Sequence, residues 1–392
     1  MKIGIDVTAA ITQGGGIGRY TRELILALTA VDPHNNYHFF AAKNPTTSPI
    51  PNPIPQAKNV QLHTAPVDER WLYRLWYRLR LPVPVQWFTG KLDLFHSPDF
   101  VLPPVHGRIP TLLTVHDLSF VLYPEVFPER LVTYLNQVVP WSVSRATHIL
   151  ADSQATKDDL TAVWQLSPEK VTVLHSGVHA RFQPVTDEKK LTAVRRQYQL
   201  GDAPYILAVG TVQPRKNYQM LIRAFQPIAQ THPHNLIITG GKGWLMEEMM
   251  AEVARQGLYS RVHFPGFVAD EDLPALYSGA ALFVFPSLYE GFGLPLLEAM
   301  GCGVPVITSN ASSLPEVAGN AAIQLSPHDP VAWTETIHHL LADPVERTRL
   351  VAAGFRQAHR FTWERSAHQL RQLYEQLGLK ATTVARRDDH KE

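Results

Sequence analysis

The sequence contains one cysteine, Cys302, in 392 residues. That excludes an internal disulfide framework and a multi-cysteine zinc site, and it fits a reducing compartment. Charge is also scarce. Asp, Glu, Lys and Arg make up 18% of the chain and the formal net charge is +1, against about 25% charged residues in ordinary soluble proteins. With no global basic field to hold a polyphosphate backbone, no nucleic-acid partner is expected. The best candidate for a membrane span, residues 273–289 (LPALYSGAALFVFPSLY), is interrupted by Pro274, Gly279 and Pro286. A spanning helix needs about 20 mainly apolar residues, so this stretch reads as a helix followed by a buried strand. An acid at Asp6 leaves no room for the apolar stretch of a secretory signal, so export is not expected and a cytoplasmic location is.

Apolar residues, at 45%, suffice for two cores, and 31 prolines with 23 glycines imply many turns. At about 150 residues per domain, the length points to two domains. Short runs rich in Val, Ile and Leu recur at Lys2–Val7, Tyr37–Ala41, Asn59–His63, Leu92–His96, Thr111–His116, His148–Ala151 and Val171–Leu174. Helix-period segments lie between them, such as Gly18–Val31 with Leu24, Ile25 and Leu28 on one stripe. After a polar stretch near Pro184–Asp202 the rhythm resumes at Tyr205–Val209, Leu236–Thr239, Val262–Phe264, Ala281–Phe285, Pro305–Thr308 and Ala321–Leu325. Strands alternating with helices predict an α/β chain of two Rossmann-like, doubly wound domains, with a ligand cleft between them at the carboxyl ends of the strands. The expected domains are residues 1–184 and 185–362. A helix at 363–380 is expected to pack back across the junction, and 381–392 (ATTVARRDDHKE) to be a disordered tail. Residues 44–55 (NPTTSPIPNPIP) carry too many prolines for an element interior and read as a loop.

The strongest chemical signal is Glu290-Gly-Phe-Gly-Leu-Pro-Leu-Leu-Glu298, directly after an apolar strand. Gly291 and Gly293 allow close approach of backbone to a ligand, and Pro295 suits the first turn of a helix whose free N–H groups face an anion. The spacing places Glu290 at the cleft rim near the reacting group and Glu298 on the helix, able to accept hydrogen bonds from a ribose diol. The alternative is an ordinary helix start with a dipole-stabilising acid. The second signal is Gly210-Thr-Val-Gln-Pro-Arg-Lys-Asn217, after one strand and before a helix. Arg215 and Lys216 there suit a diphosphate, one as a forked guanidinium and one as a point charge; the alternative is a turn with ordinary surface cations.

Joined with the glycine-rich loop Gly14-Gly15-Gly16-Ile17-Gly18 after the first strand and a strand ending in His116-Asp117, these motifs resemble the retaining nucleotide-sugar glycosyltransferases of the GT-B fold, glycosyltransferase family 4. The resemblance covers most of residues 1–378. Ile5-Asp6 with Gly15-Gly16-Ile17-Gly18-Arg19-Tyr20, and His96-Ser-Pro-Asp-Phe-Val-Leu-Pro103, look most like mannosyltransferases that build bacterial surface polysaccharides. The resemblance implies a metal-independent enzyme with no cofactor beyond its nucleotide-sugar co-substrate. Arg215 and Lys216 would bind the donor diphosphate, Glu298 the ribose, Glu290 the transferred sugar, and the backbone of Phe292, Gly293 and Leu294 the phosphates. His116 would touch the donor sugar, Gly15 and Gly16 would close over the phosphates, and Gly266 to Val268 would hold the base. GDP-mannose is the implied donor, with UDP-glucose, UDP-GlcNAc and ADP-glucose as alternatives, and a glycan or polyprenyl-linked glycan the acceptor. Two departures stand out: Gly210-Thr211 where many relatives have Gly-Arg, and Ser176-Gly-Val-His179 where Asn-Gly-Val-Asp is common.

Other motifs point away from chemistry. The glycine loop begins eight residues after Asp6 and has Thr21 at the last glycine position of a dinucleotide fingerprint. Asp270-Glu271-Asp272 precedes Leu273 and Leu276 at helical spacing and reads as an acidic helix start rather than a metal-binding D-x-D. The scattered histidines suggest no metal site, and Cys302 in a small-residue turn reads as packing. Glu69–Arg80 (ERWLYRLWYRLR) places Leu72, Leu75, Trp76 and Leu79 on one face, with arginines elsewhere. The stripe fits either burial against the first sheet or the surface of an anionic membrane, which would make the protein peripheral on the inner face of the cytoplasmic membrane. A nucleotide-sugar epimerase and a non-catalytic nucleotide-sugar-binding module are the competing functions.

Overall fold

The computed structural model describes residues 1–43, 54–241 and 246–388. They form two compact units: Met1–Gly177 together with the segment from Trp363 onward, and Val178–Thr362.

The first unit is built on a seven-stranded sheet in the order β3-β2-β1-β4-β5-β6-β7. Its strands are β1 (Lys2–Asp6), β2 (Asn36–Lys43), β3 (Val60–Asp68), β4 (Leu94–Ser97), β5 (Thr111–Val115), β6 (His148–Ala151) and β7 (Val171–Val173). The second carries β8 (Tyr205–Val209), β9 (Asn235–Thr239), β10 (Val262–Gly266), β11 (Leu282–Phe285), β12 (Val306–Ser309) and β13 (Ala322–Leu325), in the order β10-β9-β8-β11-β12-β13. Every named pair is parallel. Parallel strands covered by helices on both faces must be apolar throughout. Thr111–Val115 and Leu282–Phe285 are buried at every position, as their unbroken apolar runs require. The order reverses direction at β1/β4 in one sheet and at β8/β11 in the other, and each reversal opens a crevice at the strands' carboxyl ends. The candidate span 273–289 resolves into the helix Leu273–Ser278 and the buried strand β11. Among the described residues no helix is long and apolar enough to cross a membrane.

Three segments differ from the sequence reading. The terminal helix runs over Trp363–Asp388, through positions 381–388 that composition marks as a disordered tail; residues 389–392 lie outside the described residues. It belongs to the first unit, where Trp363, Ala367, Leu370 and Tyr374 share a core with Ile3, Ile5, Tyr20 and Leu24. The change of unit falls at Gly177/Val178 rather than at residue 184, because Val178 is already bonded to the second unit: its N–H donates to Phe361 O at 3.0 Å. Most of the expected loop 44–55, positions 44–53, lies outside the described residues.

The third difference is Glu69–Arg80, which is not one amphipathic helix. A short helix, Glu69–Tyr73, widens into a π-type turn over Arg74–Arg78. Leu72 and Trp76 are buried, with the Trp76 ring against Phe40 and Phe88 and its Nε1 donating to Val83 O at 2.8 Å. The stripe therefore faces the core at 72 and 76. The apolar side chains left to solvent are Trp71, Leu79, Leu81 and Trp87.

Candidate active site

In the second unit the charged motif forms at the carboxyl ends of β8 and β11, neighbours at the reversal of strand order. After β8 the chain passes Gly210 and enters the 3₁₀ turn Pro214–Lys216, stopped by Asn217 in a left-handed conformation (φ +57°). After β11 it reaches Glu290 and the glycine turn before the helix Leu294–Gly301. The two cations and the acid meet as one cluster. Arg215 Nη1 lies 2.7 Å from Glu290 Oε2 and Lys216 Nζ 2.6 Å from Oε1. Burial alone would raise the Glu290 carboxyl, but Arg215 and Lys216 outweigh it and hold the group at about 2. Arg215 Nη1 also donates to Tyr289 O at 2.6 Å, and the Lys216 ammonium sits 4.6 Å above the Phe285 ring. Glu290 is thus buried between the cations rather than alone at a rim. Two positive charges and one negative leave the cluster a net single positive charge.

The rest of the loop is held by serines that follow the neighbouring strand β12. Ser312 Oγ accepts from the Glu290 N–H at 2.7 Å, and Ser313 Oγ donates to Glu290 O and Phe292 O at 2.8 and 2.9 Å. Phe292 is buried with its ring 5.7 Å from Phe361. Gly293 caps the following helix at φ +109°, and a Cβ there would lie 2.8 Å from Leu314, so any other residue would be strained. Of the first residues of that helix only Leu294 keeps an N–H free of an intrahelical acceptor and suited to an anion, since Pro295 has none and the Leu296 N–H donates to Gly293 O at 3.0 Å. Glu298 is buried on the helix and accepts from the Tyr277 hydroxyl at 2.9 Å. On the far side of β8, Gly266 ends β10 and its carbonyl accepts from the Gly240 N–H at 2.9 Å; Val268 is buried while Phe267 between them is 66% exposed. A Cβ on Gly240 would lie 2.2 Å from Gly210 O, which fixes how closely these two turns approach.

In the first unit His116 follows β5. Its Nδ1 lies 2.7 Å from Asp152 Oδ2 and its Nε2 3.2 Å from Pro98 O. Burial would lower the imidazole, but the Asp152 charge and hydrogen bond carry it up to about 9. With both nitrogens facing acceptors, His116 is an imidazolium that donates on both sides. Gly15 and Gly16, at the start of the helix Gly16–Val31, have open space where a Cβ would stand, so packing does not require glycine at either; Gly18, whose Cβ would meet Gln13 O at 1.9 Å, is a packing glycine.

The weaker motifs resolve as structure. Asp272 immediately precedes the helix Leu273–Ser278 without capping it, and its carboxylate accepts from Tyr198 at 2.7 Å and Gln197 at 2.9 Å. Burial pushes the Cys302 thiol up to about 12, a packed and unreactive state. Among the described residues no group of three or more His, Cys, Asp or Glu is arranged to hold a metal ion. Sequence reasoning missed Asp152, Ser312, Ser313, Tyr277 and Gly240. Their available signal was position: each lies on, or just beyond the end of, an element adjacent to one that carries a motif.

Two family models match the chain, Glycosyltransferase Family 4 over residues 14–182 and Glycosyl transferases group 1 over residues 192–357. O-antigen chain mannosyltransferase B of Escherichia coli is 33% identical over 374 residues, 92% of this chain and 96% of that protein. Among solved structures, a sucrose-phosphate synthase from Thermosynechococcus elongatus superposes with a TM-score of 0.74 at 23% identity, covering 96% of this chain and 99% of that one. The Anabaena protein HepE, solved with UDP and glucose, superposes with a TM-score of 0.72 at 19% identity, covering 96% and 99%. Two parallel doubly wound units, an acid–cation cluster at the reversal of the second sheet, and matches spanning both halves place this chain in glycosyltransferase family 4, with the GT-B fold.

Proposed function

We propose that this glycosyltransferase is a retaining enzyme that moves a hexose, mannose from GDP-mannose, to a hydroxyl of a glycan or polyprenyl-linked glycan during assembly of bacterial surface polysaccharide. The carrying observation is the Arg215–Glu290–Lys216 cluster beside the amide-bearing start of the helix Leu294–Gly301. As the bond between the anomeric carbon and the phosphate oxygen breaks, negative charge grows on the departing diphosphate. Arg215, Lys216 and the amides of Gly293 and Leu294 are fixed in advance where that charge develops, which is how preorganised donors lower a barrier. Glu290 has a second task. It holds both cations in place without solvent reorganisation and, at about 2, stays an acceptor for a sugar hydroxyl at every physiological pH. Glu298 would take the ribose diol, the turn from Gly266 to Val268 the base, and Gly15 and Gly16 the phosphates.

His116, an imidazolium whose two N–H groups are held by Asp152 and Pro98 O, is unsuited to act as a base and would meet the transferred sugar by exchanging its Nε2–H away from Pro98 O. The charge on the leaving group is met by side chains and amides, so the proposed reaction needs no metal and no cofactor. A cytoplasmic placement against the inner membrane surface belongs to the same reading. Its contact face would be the exposed Trp71, Leu79, Leu81 and Trp87 with Arg74 and Arg78, rather than the buried stripe.

The test is a thermal-shift panel of GDP-mannose, UDP-glucose, UDP-GlcNAc and ADP-glucose, since a ligand raises apparent stability according to its affinity. Product analysis by NMR, with and without EDTA, follows. The largest shift with GDP-mannose and an α-linked product insensitive to EDTA support the proposal. An inverted anomer, or donor converted to its epimer without acceptor, would sink it, as would donor binding with no turnover.

A further inference from the structure

The first unit contains a cavity of about 380 Å³ at the carboxyl ends of β1 and β4, the reversal point of its own sheet. That size falls within the range of small-molecule sites, roughly 300–1,000 Å³. Its polar wall is acidic: Asp6 at the end of β1, Glu69 at the start of the short helix, and Asp99 just past β4. Its apolar wall is aromatic: Tyr73, Trp76, Tyr77, Phe100 and Tyr134. These rings brace one another, with Tyr73 and Tyr134 centroids 4.5 Å apart and the Trp76 ring fixed through its Nε1. Burial raises the Asp6 carboxyl to about 6, against the Thr8 hydrogen bonds, and the nearby Asp99 and Glu69 push the same way. No cation lies among the lining residues.

We infer that this cavity binds an uncharged sugar ring, the accepting residue of the glycan, and that its three carboxylates exclude anionic sugars and phosphate esters. The inference rests on the transferase reading and adds a site and a selectivity to it. A pyranose presents two kinds of surface, a C–H face and a rim of hydroxyls. The C–H face seats on aromatic rings, whose faces carry negative charge. The rim donates to carboxylates, which are acceptors only. A uronic acid or sugar phosphate would instead bring a charge of the same sign against three others in a half-enclosed space. Position adds a second argument. The wall residue Phe100 packs edge-on against the His116 ring, with centroids 5.5 Å apart, and Asp99 follows the Pro98 carbonyl that faces His116 Nε2. A sugar seated here lies next to the imidazolium proposed to touch the donor sugar. Of the lining, Asp6, Asp99 and Phe100 fall within the stretches that resemble the family, whereas Glu69, Tyr73, Trp76, Tyr77 and Tyr134 lie outside them.

Saturation-transfer NMR on the full chain, with methyl α-mannoside and methyl α-glucoside as neutral probes and glucuronic acid as the anionic one, tests the site. A neutral glycoside should bind and glucuronic acid should not. Glu69→Gln and Asp99→Asn should each weaken the neutral probe about tenfold, the size of one charged hydrogen bond. The double variant should gain binding of glucuronic acid, an effect that a merely structural role would not produce. Equal binding of glucuronic acid by the unmodified chain overturns the inference, as does silence of both neutral probes or unchanged affinity in both single variants. A GDP-mannose thermal shift on the same sample separates the two readings. If the shift persists while the glycosides fail, only the acceptor site falls; if the shift and transfer are both absent, the function itself falls.

Discussion

The two sheets have the same architecture and opposite electrostatics at the same topological place. At the β8/β11 reversal two cations surround one acid, with a helix start and glycine turns close by. At the β1/β4 reversal three acids face a wall of aromatic rings. The doubly wound fold provides a crevice in both cases and says nothing about what fills it. Ligand class is decided by the few loop residues that follow each strand: Arg-Lys after β8 makes an anion seat, and Pro-Asp-Phe after β4 makes a seat for something uncharged.

Removing a cation should break this contrast most severely. Lys216→Ala should lower turnover about 10²–10³-fold, the usual cost of losing one preorganised charge-directed donor, with a smaller change in donor affinity; steady-state kinetics with GDP-mannose resolves the two. Near-normal kcat would remove Lys216 from the anion seat. Glu298→Ala should weaken the donor roughly tenfold to a hundredfold, equivalent to one or two hydrogen bonds to a charged acceptor, and leave kcat nearly intact. The opposite split, kcat lost and affinity kept, would reassign Glu298 to the reaction centre.

The pH dependence of stability sharpens the comparison, because each unit has its own limb. The folded-state value of His116, about 9, is raised above the ordinary 6.5. Its contribution is therefore complete below about 6.5 and disappears as pH rises through 9. Glu290, at about 2, is lowered from 4.5, so its contribution is complete above about 4.5 and disappears as pH falls toward 2. Calorimetry should show an alkaline loss absent from His116→Gln and an acid loss absent from Glu290→Gln, each a few degrees at about 2–4 °C per kcal/mol. The smallest effect expected is on membrane contact: Arg74→Glu/Arg78→Glu should reduce flotation with anionic liposomes severalfold without altering the fold. Unchanged flotation would leave Trp71 and Trp87 as ordinary surface.

Much of this molecule was legible in its sequence. The strands could be read because parallel strands buried on both faces must be unbroken apolar runs, and Tyr205–Val209 and His148–Ala151 begin and end where those runs do. The anion seat was legible for a related reason, since a strand, a glycine turn and a helix start are consecutive in the chain. Asp152 was not legible. It is 36 residues from His116 and meets it only because β6 pairs with β5, a fact of sheet order that no local pattern encodes. Ser312 and Ser313 follow β12 and reach the Glu290 loop for the same reason. Glu69–Arg80 misled because its helical period is real up to Tyr73, whereas tertiary packing of Trp76 widens the next turn and draws that ring into the core. Positions 381–388 misled because polar composition was weighed against order, and a long helix already packed over Trp363–Leu377 extends at little further cost.

The terminal helix also sets a timetable for biosynthesis. The core that contains Ile3, Tyr20 and Leu24 is completed by Trp363, Leu370 and Tyr374, whereas Val178–Thr362 forms a unit from one uninterrupted stretch. At translation rates of about 5–20 residues per second, the early half of the protein waits roughly 10–40 s for its last helix while the later half is made. During that wait the face of Gly16–Val31 destined for the helix is bare apolar surface on the ribosome. The half that emerges first is therefore the half that finishes last, and the one in greater need of a chaperone.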